Sequence, residues 1–232
     1  MPHFVRPSTA QEAILVELRR LIVARELLPG SKVLQDQIAK QMGVSRVPVR
    51  EALKLLEGEG LVVSEPRRGM FVVELSPEEL IQIIQLRRLL ETDALAAALP
   101  VLGDDTLEAM EASMRDMDVA VAQRDMQMLS RANRTFHMAI VEPSGWDRYL
   151  RILNQLWDNS QPYWSYTSTD TTHHARRRAE HAAIFEAVRM RDVDLATQLL
   201  DAHRVRATEG TLRQVATQEL STPVGLEAIV LA

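Results

Sequence analysis

The segment 44–53, V-S-R-V-P-V-R-E-A-L, constrains the fold of this chain more than any other stretch. Its basic residues recur every four positions and therefore lie along one side of a helix, whereas the apolar residues occupy the opposite side. The basic side comprises Arg46, Arg50 and Lys54, and the apolar side comprises Val49, Leu53 and Leu56. Ser45 is expected to cap the helix with its hydroxyl, and Pro48 falls in the first turn, where its missing N–H costs least.

Two flanking signals place this helix in a helix-turn-helix. Apolar residues four apart over 34–42 predict a short helix directly before it, ended by Gly43. A longer amphipathic helix over 10–25 precedes both, and the turn L-P-G at 28–30 ends it. A short helix followed closely by a helix with a basic side is what a helix-turn-helix requires. A solvated charge stripe on an ordinary helix is the alternative, and the flanking sequence argues against it.

A small β-hairpin, or wing, is predicted directly after the basic helix. Two short apolar runs at 61–63 and 70–73 flank the turn-forming sequence S-E-P-R-R-G. The tip of this hairpin carries Arg67, Arg68 and Gly69, and a glycine lets the backbone approach a sugar-phosphate strand closely. A solubilising hairpin tip would also contain arginines, but the position next to a basic helix favours contact with DNA.

Beyond residue 75 the sequence shows only helical signals. S-P-E-E at 76–79 has the capping-box pattern that begins a helix, and we place the domain boundary here, between 1–75 and 76–232. Five further helices are predicted at roughly 104–123, 125–141, 147–164, 172–190 and 192–217. The expected fold is therefore mainly α, with a winged helix-turn-helix of three helices and a hairpin followed by an all-α helical bundle.

Composition and charge narrow the class of protein. The 232 residues include no cysteine, which excludes disulfides, thiolate metal sites and cysteine nucleophiles. No apolar run approaches the ~20 residues that span a bilayer, and the N-terminus lacks a secretory signal, so we expect a cytoplasmic protein with no membrane partner. Residues 1–75 carry 11 basic and 9 acidic side chains, a net +2, whereas the remainder carries 16 and 23, a net −7. The N-terminal segment can still bind phosphates, because charges beyond ~8 Å are largely screened.

The helical region contains an apolar methionine stripe and two inward histidines. Met110, Met114 and Met117 share one helical face. Such a face is usually hydrophobic core or a subunit contact, and we interpret it so rather than as a cofactor site. His181 and His203 each lie on the apolar stripe of their predicted helix, so both are expected to point into the bundle.

At these positions the sequence resembles a known family. The N-terminal segment is similar to the winged helix-turn-helix of GntR-type bacterial transcriptional regulators. The matching motifs are L-L-P-G-S-K-V-L (27–34), G-V-S-R-V-P-V-R-E-A-L (43–53), L-L-E-G-E-G-L-V (55–62) and R-R-G-M-F-V (67–72). The remainder resembles the FCD effector domain of the FadR-like subgroup, through L-R-R-L-L-E (86–91), N-R-T-F-H (133–137) and E-H-A-A-I-F-E-A-V (180–188). The resemblance implies a DNA-binding transcriptional regulator, expected to be a repressor and not an enzyme.

The resemblance implies roles for individual residues of the basic helix and the wing. Ser45, Arg46 and Arg50 match positions that contact operator DNA, and Gly69 matches the wing glycine at the minor groove. An arginine fork can pair with guanine or clamp a phosphate, and the sequence leaves both open. Asp36 departs from the pattern, because some relatives place a basic DNA contact there. The expected partner is a palindromic double-stranded operator, bound by a homodimer.

The resemblance also implies a metal site. Many FCD domains bind a divalent metal through an acidic residue, a histidine four residues later and two further histidines. The matching positions here are Asn133, His137, His181 and His203, and three imidazoles suit Zn²⁺, Ni²⁺ or Mn²⁺. Asparagine can coordinate a cation without neutralising it, so weaker binding or an anionic effector that balances the charge is expected. Hydrogen-bonded core histidines are the alternative, and some members of the family bind an effector in this cavity without metal.

Arg87 matches an arginine that commonly faces the same cavity in this family. There it would bind the carboxylate of a small organic-acid effector, although an exposed or capping arginine fits the sequence equally well. Four aromatic residues fit a pocket wall and ordinary core packing equally well: Trp157, Tyr163, Trp164 and Tyr166. The remaining histidines are interpreted as surface residues: His3, His173 and His174.

The sequence thus predicts a regulator whose operator affinity changes when a small carboxylate, with or without a metal, alters helix packing. Two alternatives stay open. In a direct metal sensor, the metal itself would be the signal. A metalloenzyme would use three histidines to activate water, but no general base is identifiable near them and the winged helix would have no role.

Overall fold

The computed structural model describes residues 10–164 and 171–219. Over these residues the elements follow in the order α1 (Ala10–Val23), β1 (Lys32–Val33), α2 (Gln35–Gln41), α3 (Arg46–Gly58), β2 (Val62–Glu65), β3 (Gly69–Val72), α4 (Pro77–Ala98), α5 (Asp104–Gln123), α6 (Met126–Val141), α7 (Asp147–Trp164), α8 (Thr171–Arg189) and α9 (Val193–Glu219). The fold is mainly α, as predicted, with the small sheet confined to the N-terminal part. Among the described helices, none is long and apolar enough to cross a membrane.

The first three helices and the sheet share one hydrophobic core. The apolar side of α3 is fully buried in it, with Val49, Leu53 and Leu56 at 0% exposure. Residues of α1 and the sheet complete this core: Ile14, Leu18, Ile22, Val33, Val62 and Val72. The basic side of α3 faces solvent, so the amphipathic pattern correctly predicted how this helix packs.

The sheet contains one strand that the sequence did not reveal. β1 pairs antiparallel with β3, with Lys32 opposite Phe71 and Val33 opposite Met70, and β3 pairs with β2 to give the order β1-β3-β2. A strand of two residues has no alternating pattern to detect, and its pairing depends on a partner far along the chain. The predicted hairpin therefore forms part of a three-stranded sheet.

The helices from α4 onward form a bundle around a second, separate core. The predicted capping box begins α4, because the Ser76 hydroxyl accepts from the Glu79 N–H and the Glu79 carboxylate accepts from the Ser76 N–H at 2.8 Å. Asp125 caps α6 in a similar way. The largest fully buried side chains of this core include Leu95, Leu99, Met110, Phe136, Leu153 and Ile184. The domain boundary between residues 75 and 76 remains a prediction.

Candidate functional site

The basic side of α3 forms an exposed surface with weak internal ion pairs. Arg46 Nε lies 2.5 Å from Asp36 Oδ1 of α2, and Arg50 Nε lies 3.5 Å from Glu51 Oε1. Because the partners in both pairs are exposed, each pair contributes little stability and yields readily to another anion. Ser45 has the backbone conformation of an N-cap, but its hydroxyl makes no capping hydrogen bond. The predicted side-chain cap is therefore wrong, because water can satisfy the free N–H groups of this exposed first turn.

The hairpin tip requires an unusual backbone. Gly69 has φ +108°, and a Cβ at this position would lie 3.2 Å from Lys32 Cε, so a glycine suits both the conformation and the space. Arg67 also has a positive φ, of 64°. The guanidinium of Arg68 pairs with Glu65 and lies 5.1 Å from the centroid of the Phe71 ring. The tip is thus a tight turn that exposes two arginines.

A cavity of about 230 Å³ lies within the helical bundle, with walls from α4 to α9. All five residues that the sequence predicted for a metal or effector site in this region line it: Arg87, Asn133, His137, His181 and His203. They come from four different helices, so the fold brings together residues up to 116 positions apart (203 − 87). Arg87 is buried rather than exposed or capping.

The three histidines are close together, and burial lowers the pKa of each. Their ring centroids are 4.7 to 5.6 Å apart, and one ring nitrogen of each lies within 4.8 Å of the others. Burial, followed by the charges of the other two histidines, lowers the pKa of His137 well below its ordinary value. Burial likewise lowers the pKa of His181, and it lowers that of His203 against the opposing effect of Glu180. Neutral imidazoles each offer a lone pair, which metal coordination requires.

Hydrogen bonds orient two of these rings. Glu180 Oε2 lies 2.7 Å from Nδ1 of His203, and a carboxylate there holds the proton on Nδ1 and leaves a lone pair on Nε2. The backbone carbonyl of Arg177 hydrogen-bonds His181. Nε2 of His181 is buried with no hydrogen-bond partner among the described residues. A buried nitrogen without a partner is costly, and a bound cation would supply the missing contact.

A buried ion network that the sequence analysis missed lies beside the histidines. Glu91 Oε1 accepts from Nε and Nη2 of Arg87, both at 3.2 Å, and Glu91 Oε2 accepts from Nη2 of Arg204 at 2.7 Å. The Arg87 guanidinium also lies 3.3 Å from the Trp157 ring centroid. Although burial opposes ionisation, the two arginines lower the pKa of Glu91. Burial lowers the pKa of Arg87 to about 10. Arg87 and Arg204 thus share Glu91, and Arg204 also donates to Asp201 at 2.9 Å.

Several other residues take positions that the sequence did not predict. His174, interpreted as a surface residue, is half-buried and lines the cavity. Met110 and Met117 lie in the core and Met114 packs against it, which confirms the core interpretation of the methionine stripe, and Met114 and Met117 also line the cavity. Trp157 forms part of the cavity wall. Five residues fall outside the described side chains: His3, Tyr163, Trp164, Tyr166 and His173.

Polar contacts link the cavity to the end of α3. Arg19 of α1 donates to both oxygens of Glu59 at 2.6 to 3.0 Å, and its Nε lies 3.8 Å from Oδ2 of Asp158 on α7. Asp158 in turn accepts from Arg134. Arg134 directly follows the cavity residue Asn133 on α6. Charged side chains therefore connect Glu59, the residue that follows α3, to Arg134, the chain neighbour of the cavity residue Asn133.

Backbone contacts strengthen the same junction. Gln155 donates to the Glu59 carbonyl at 3.1 Å, and Asn159, with its amide oriented to satisfy its neighbours, donates to the same carbonyl at 3.0 Å. Gly60 has φ +76°, and a Cβ there would lie 3.1 Å from the nearest amide atom of Asn159. The turn after α3 thus combines a left-handed conformation with close packing against α7.

Two family descriptions match the two parts of the chain. Residues 10–72 match "Bacterial regulatory proteins, gntR family", and residues 82–206 match "FCD domain". The chain belongs to the GntR family. It is a transcriptional regulator of the GntR type with an FCD domain, and its family and relatives are DNA-binding regulators rather than enzymes.

Individual relatives agree with this assignment. The chain is 30% identical over 96% of its length, and 96% of the relative's, to an uncharacterised HTH-type transcriptional regulator of Streptomyces ambofaciens. It is 28% identical to the gluconate operon transcriptional repressor of Bacillus subtilis, over 64% of this chain and 59% of that one.

Solved structures share the fold. Escherichia coli McbR/YncC superposes with a TM-score of 0.81 at 22% identity, covering 90% of this chain and 99% of that one. A metal-free FCD domain superposes with a TM-score of 0.51 at 14% identity, covering 62% and 99%. FCD domains can bind metal, and the three clustered histidines of this chain are consistent with that capacity.

Proposed function

We propose that this regulator is a homodimeric repressor whose affinity for operator DNA is set by a small carboxylate bound in the α4–α9 cavity, together with a divalent metal. The observation that carries the proposal is the convergence of three buried histidines in an arginine-lined cavity that polar contacts connect to α3. The repressor activity named for the Bacillus subtilis relative supports the sign of the regulation.

The DNA contacts are assigned to the start of α3 and to the wing. Ser45, Arg46 and Arg50 occupy the N-terminal half of an exposed helix face, which is the part of a recognition helix that reaches base edges. The wing tip supplies three further residues for the adjacent groove and backbone: Arg67, Arg68 and Gly69. Two such heads in a two-fold dimer would read a palindromic operator.

The donor set of the cavity fits a divalent metal. His137, His181 and His203 would supply three neutral nitrogens, and the Asn133 carbonyl oxygen would supply a fourth ligand. The partnerless Nε2 of His181 and the hydrogen bond from His203 to Glu180 both support this assignment, since metal-bound histidines usually donate their other N–H to a carboxylate or carbonyl. Imidazole ligands suit Zn²⁺, Ni²⁺ and Mn²⁺.

The charges of the cavity favour an anionic effector. Four arginines line it, namely Arg87, Arg177, Arg178 and Arg204. Glu91 is shared by two of them, and the exposed Arg178 pairs with Asp118 at 2.9 Å. Burial lowers the pKa of Arg177 as well as that of Arg87, which means that their positive charges are less well stabilised than in water. A carboxylate would add a negative charge that these arginines can bind by bidentate pairing.

The effector would act on DNA binding through the junction between α6, α7 and α3. A ligand that draws Asn133 or His137 toward the metal would shift α6, and Arg134 would carry that shift to Asp158. Three residues of α7 contact Arg19 or Glu59, namely Asp158, Gln155 and Asn159. The winged helix-turn-helix would therefore tilt relative to the helical bundle. A change in the spacing of the two heads alters operator affinity as a population shift.

A direct metal sensor is the second candidate function. The observation that favours it is the histidine cluster itself. Its three neutral nitrogens could bind a metal without any organic acid. In that case metal alone would change operator affinity reversibly and in proportion to its occupancy.

One experiment separates these functions. The full chain is purified without chelator, its metal content is measured, and its affinity for a duplex selected from random-sequence DNA is determined with and without added Ni²⁺ and a panel of carboxylates. We expect about one metal per chain, loss of that metal in His181→Ala, and a change in affinity only when a carboxylate is present. A response to Ni²⁺ alone favours the metal sensor, and no response to either ligand rules out both functions.

A further inference from the structure

The lining of the cavity also includes an apolar wall. Four residues of α5 and α6 form it: Met114, Met117, Val121 and Leu129. The three α5 residues lie on one face, at steps of three and four positions. Methionine side chains adapt their shape to apolar groups. A purely polar ligand would make no favourable apolar contacts with this wall.

The polarity changes along the length of the cavity. On α6, Leu129, Asn133 and His137 follow one another at single turns, so the lining passes from apolar to nitrogen donors over eight residues, or ~12 Å. Burial increases along the same three residues, because Leu129 and Asn133 are half-buried and His137 is buried. Along α6 the lining therefore changes from apolar to nitrogen donors toward the buried end, while the exposed pair of Asp118 and Arg178 adds charge elsewhere in the lining.

The volume indicates the size of a ligand that would fill the cavity. At ~30 Å³ per water molecule, 230 Å³ holds about eight water-sized groups. A carboxylate group uses about three of them, which leaves room for roughly five methylene-sized groups. A ligand of this size reaches from the buried donors to the apolar wall.

We propose that the effector is a monocarboxylate with an apolar tail of about five carbon atoms, bound with its carboxylate at the histidine and arginine end and its tail against Met114, Met117 and Val121. The proposal rests on the proposed function, since it names the ligand class of the same cavity. A polyhydroxy acid fits poorly, because its hydroxyls would face thioethers and methyl groups and lose hydrogen bonds to water.

The test is a titration of the full chain, supplied with Ni²⁺, with acetate, butyrate, hexanoate, octanoate and gluconate. Binding is followed by calorimetry. We expect affinity to rise about fourfold for each added methylene up to hexanoate, as the transfer of CH₂ groups from water predicts, and then to level off as the cavity is filled. Gluconate is expected to bind more weakly than butyrate.

Two matched variants on one helix assign the tail to the apolar wall. Val121→Thr places a hydroxyl in the wall, whereas Val119→Thr makes the same change at a position on α5 that is 43% exposed. We expect Val121→Thr to lower hexanoate affinity roughly fourfold with little effect on acetate, and Val119→Thr to change neither. Melting curves of both variants confirm that they fold.

The outcomes distinguish the two levels of proposal. If carboxylates bind but affinity is independent of chain length, or gluconate binds more tightly than hexanoate, the tail assignment is overturned and the carboxylate site stands. Equal effects of the two valine substitutions on hexanoate also overturn it. If no acid binds, acetate included, both the tail assignment and the proposed function are wrong.

Discussion

The two parts of the molecule use arginine in opposite ways. In the DNA-binding part, Arg46 and Arg50 are exposed and pair with single surface carboxylates. In the helical bundle, Arg87 and Arg204 are buried, with 6% and 8% of their side chains exposed, and both are bound to Glu91. The same guanidinium group is therefore loosely paired in one region and fixed in the other.

The difference follows from the cost of removing charge from water. An exposed pair gains ~0–1 kcal/mol and exchanges its partner easily, which suits contact with a polyanion such as DNA. A buried arginine without its carboxylate would leave an uncompensated charge, so its pairing is obligatory. Loose arginines serve a surface that binds and releases a large partner, whereas fixed arginines shape a cavity for a small one.

The largest expected effect comes from removing the shared carboxylate. Glu91→Gln keeps the size of the side chain but removes the buried anion that Arg87 and Arg204 share, and leaves Arg204 with only its ion pair to Asp201. We expect a loss of ~3–5 kcal/mol in the free energy of unfolding, measured by urea denaturation at pH 7.5. The matched control is Glu186→Gln, which breaks the exposed pair with Arg189 and should cost less than ~1 kcal/mol. Equal losses of stability in the two variants would show that burial does not make the ion pairs of Glu91 stronger than the exposed pair.

The pH dependence of the same variant gives a second measurement. The folded-state pKa of Glu91 is lowered from 4.5, so its stabilising contribution is fully present above pH 4.5 and is lost as the pH falls through the folded-state value. The difference in unfolding free energy between wild type and Glu91→Gln should therefore stay constant from neutral pH to about 5 and shrink below that. A difference that grew with acidification would contradict the sign of the pKa shift.

The next effect tests the exposed arginines. Arg50→Ala should lower affinity for a selected operator by ~1–3 kcal/mol if the side chain contacts a base, or weaken all DNA and reduce the salt slope by about 1 if it contacts a phosphate. Stability should hardly change, because Arg50 is exposed. Arg115→Ala removes an exposed arginine of α5 and is the control. Fluorescence anisotropy at several salt concentrations measures both the affinity and its salt dependence. An unchanged affinity in Arg50→Ala would refute the proposal that Arg50 contacts DNA.

Helices and their bounds were readable in the sequence because their determinants are local. Apolar periodicity and capping residues such as Ser76 and Asp125 act within a turn or two, so the predicted ranges agree with the structure to within about two residues from α5 onward. The two-residue strand β1 was missed since its only determinant is pairing with β3, almost 40 residues away.

The candidate site was predictable where the family resemblance specified residues, and not where packing decides. The three histidines were found in this way, whereas the Arg87–Glu91–Arg204 network joins α4 to a residue 113 positions further on. A local signal for it existed. Arg87 and Glu91 both fall on the buried stripe of α4 that contains Ile84 and Ala94, and a charged pair on an inward stripe indicates a buried ion pair.

The third prediction concerns the junction between the two regions. Gly60→Ala adds a Cβ that meets both a positive φ and the Asn159 side chain, whereas Gly43→Ala adds one to a similar φ of +64° with nothing within 4 Å. The left-handed conformation costs ~1–2 kcal/mol in each variant. Gly60→Ala should cost up to ~1 kcal/mol more, because Asn159 must move and weaken its hydrogen bond to Glu59. Thermal denaturation of the two variants measures the difference. Equal losses would mean that the Asn159 side chain moves away from the new Cβ without loss of stability.

The smallest expected effect lies in the charged link itself. Asp158→Asn removes the charge shared between Arg19 and Arg134 but keeps a side chain that can accept a hydrogen bond. Because both ion pairs are partly exposed, we expect a loss of only ~0.5–1 kcal/mol in stability.

The more informative measurement on Asp158→Asn is hydrogen exchange at the backbone amides of residues 59–61, which Gln155 and Asn159 hold against α7. Exchange there should accelerate several-fold while amides of the α5 core stay unchanged, because local opening depends on local contacts. Asp147→Asn, at the exposed start of α7, is the control. If both variants exchange alike, the charged link does not hold the two regions together, and a ligand in the cavity would have to reach α3 through the backbone contacts of Gln155 and Asn159 alone.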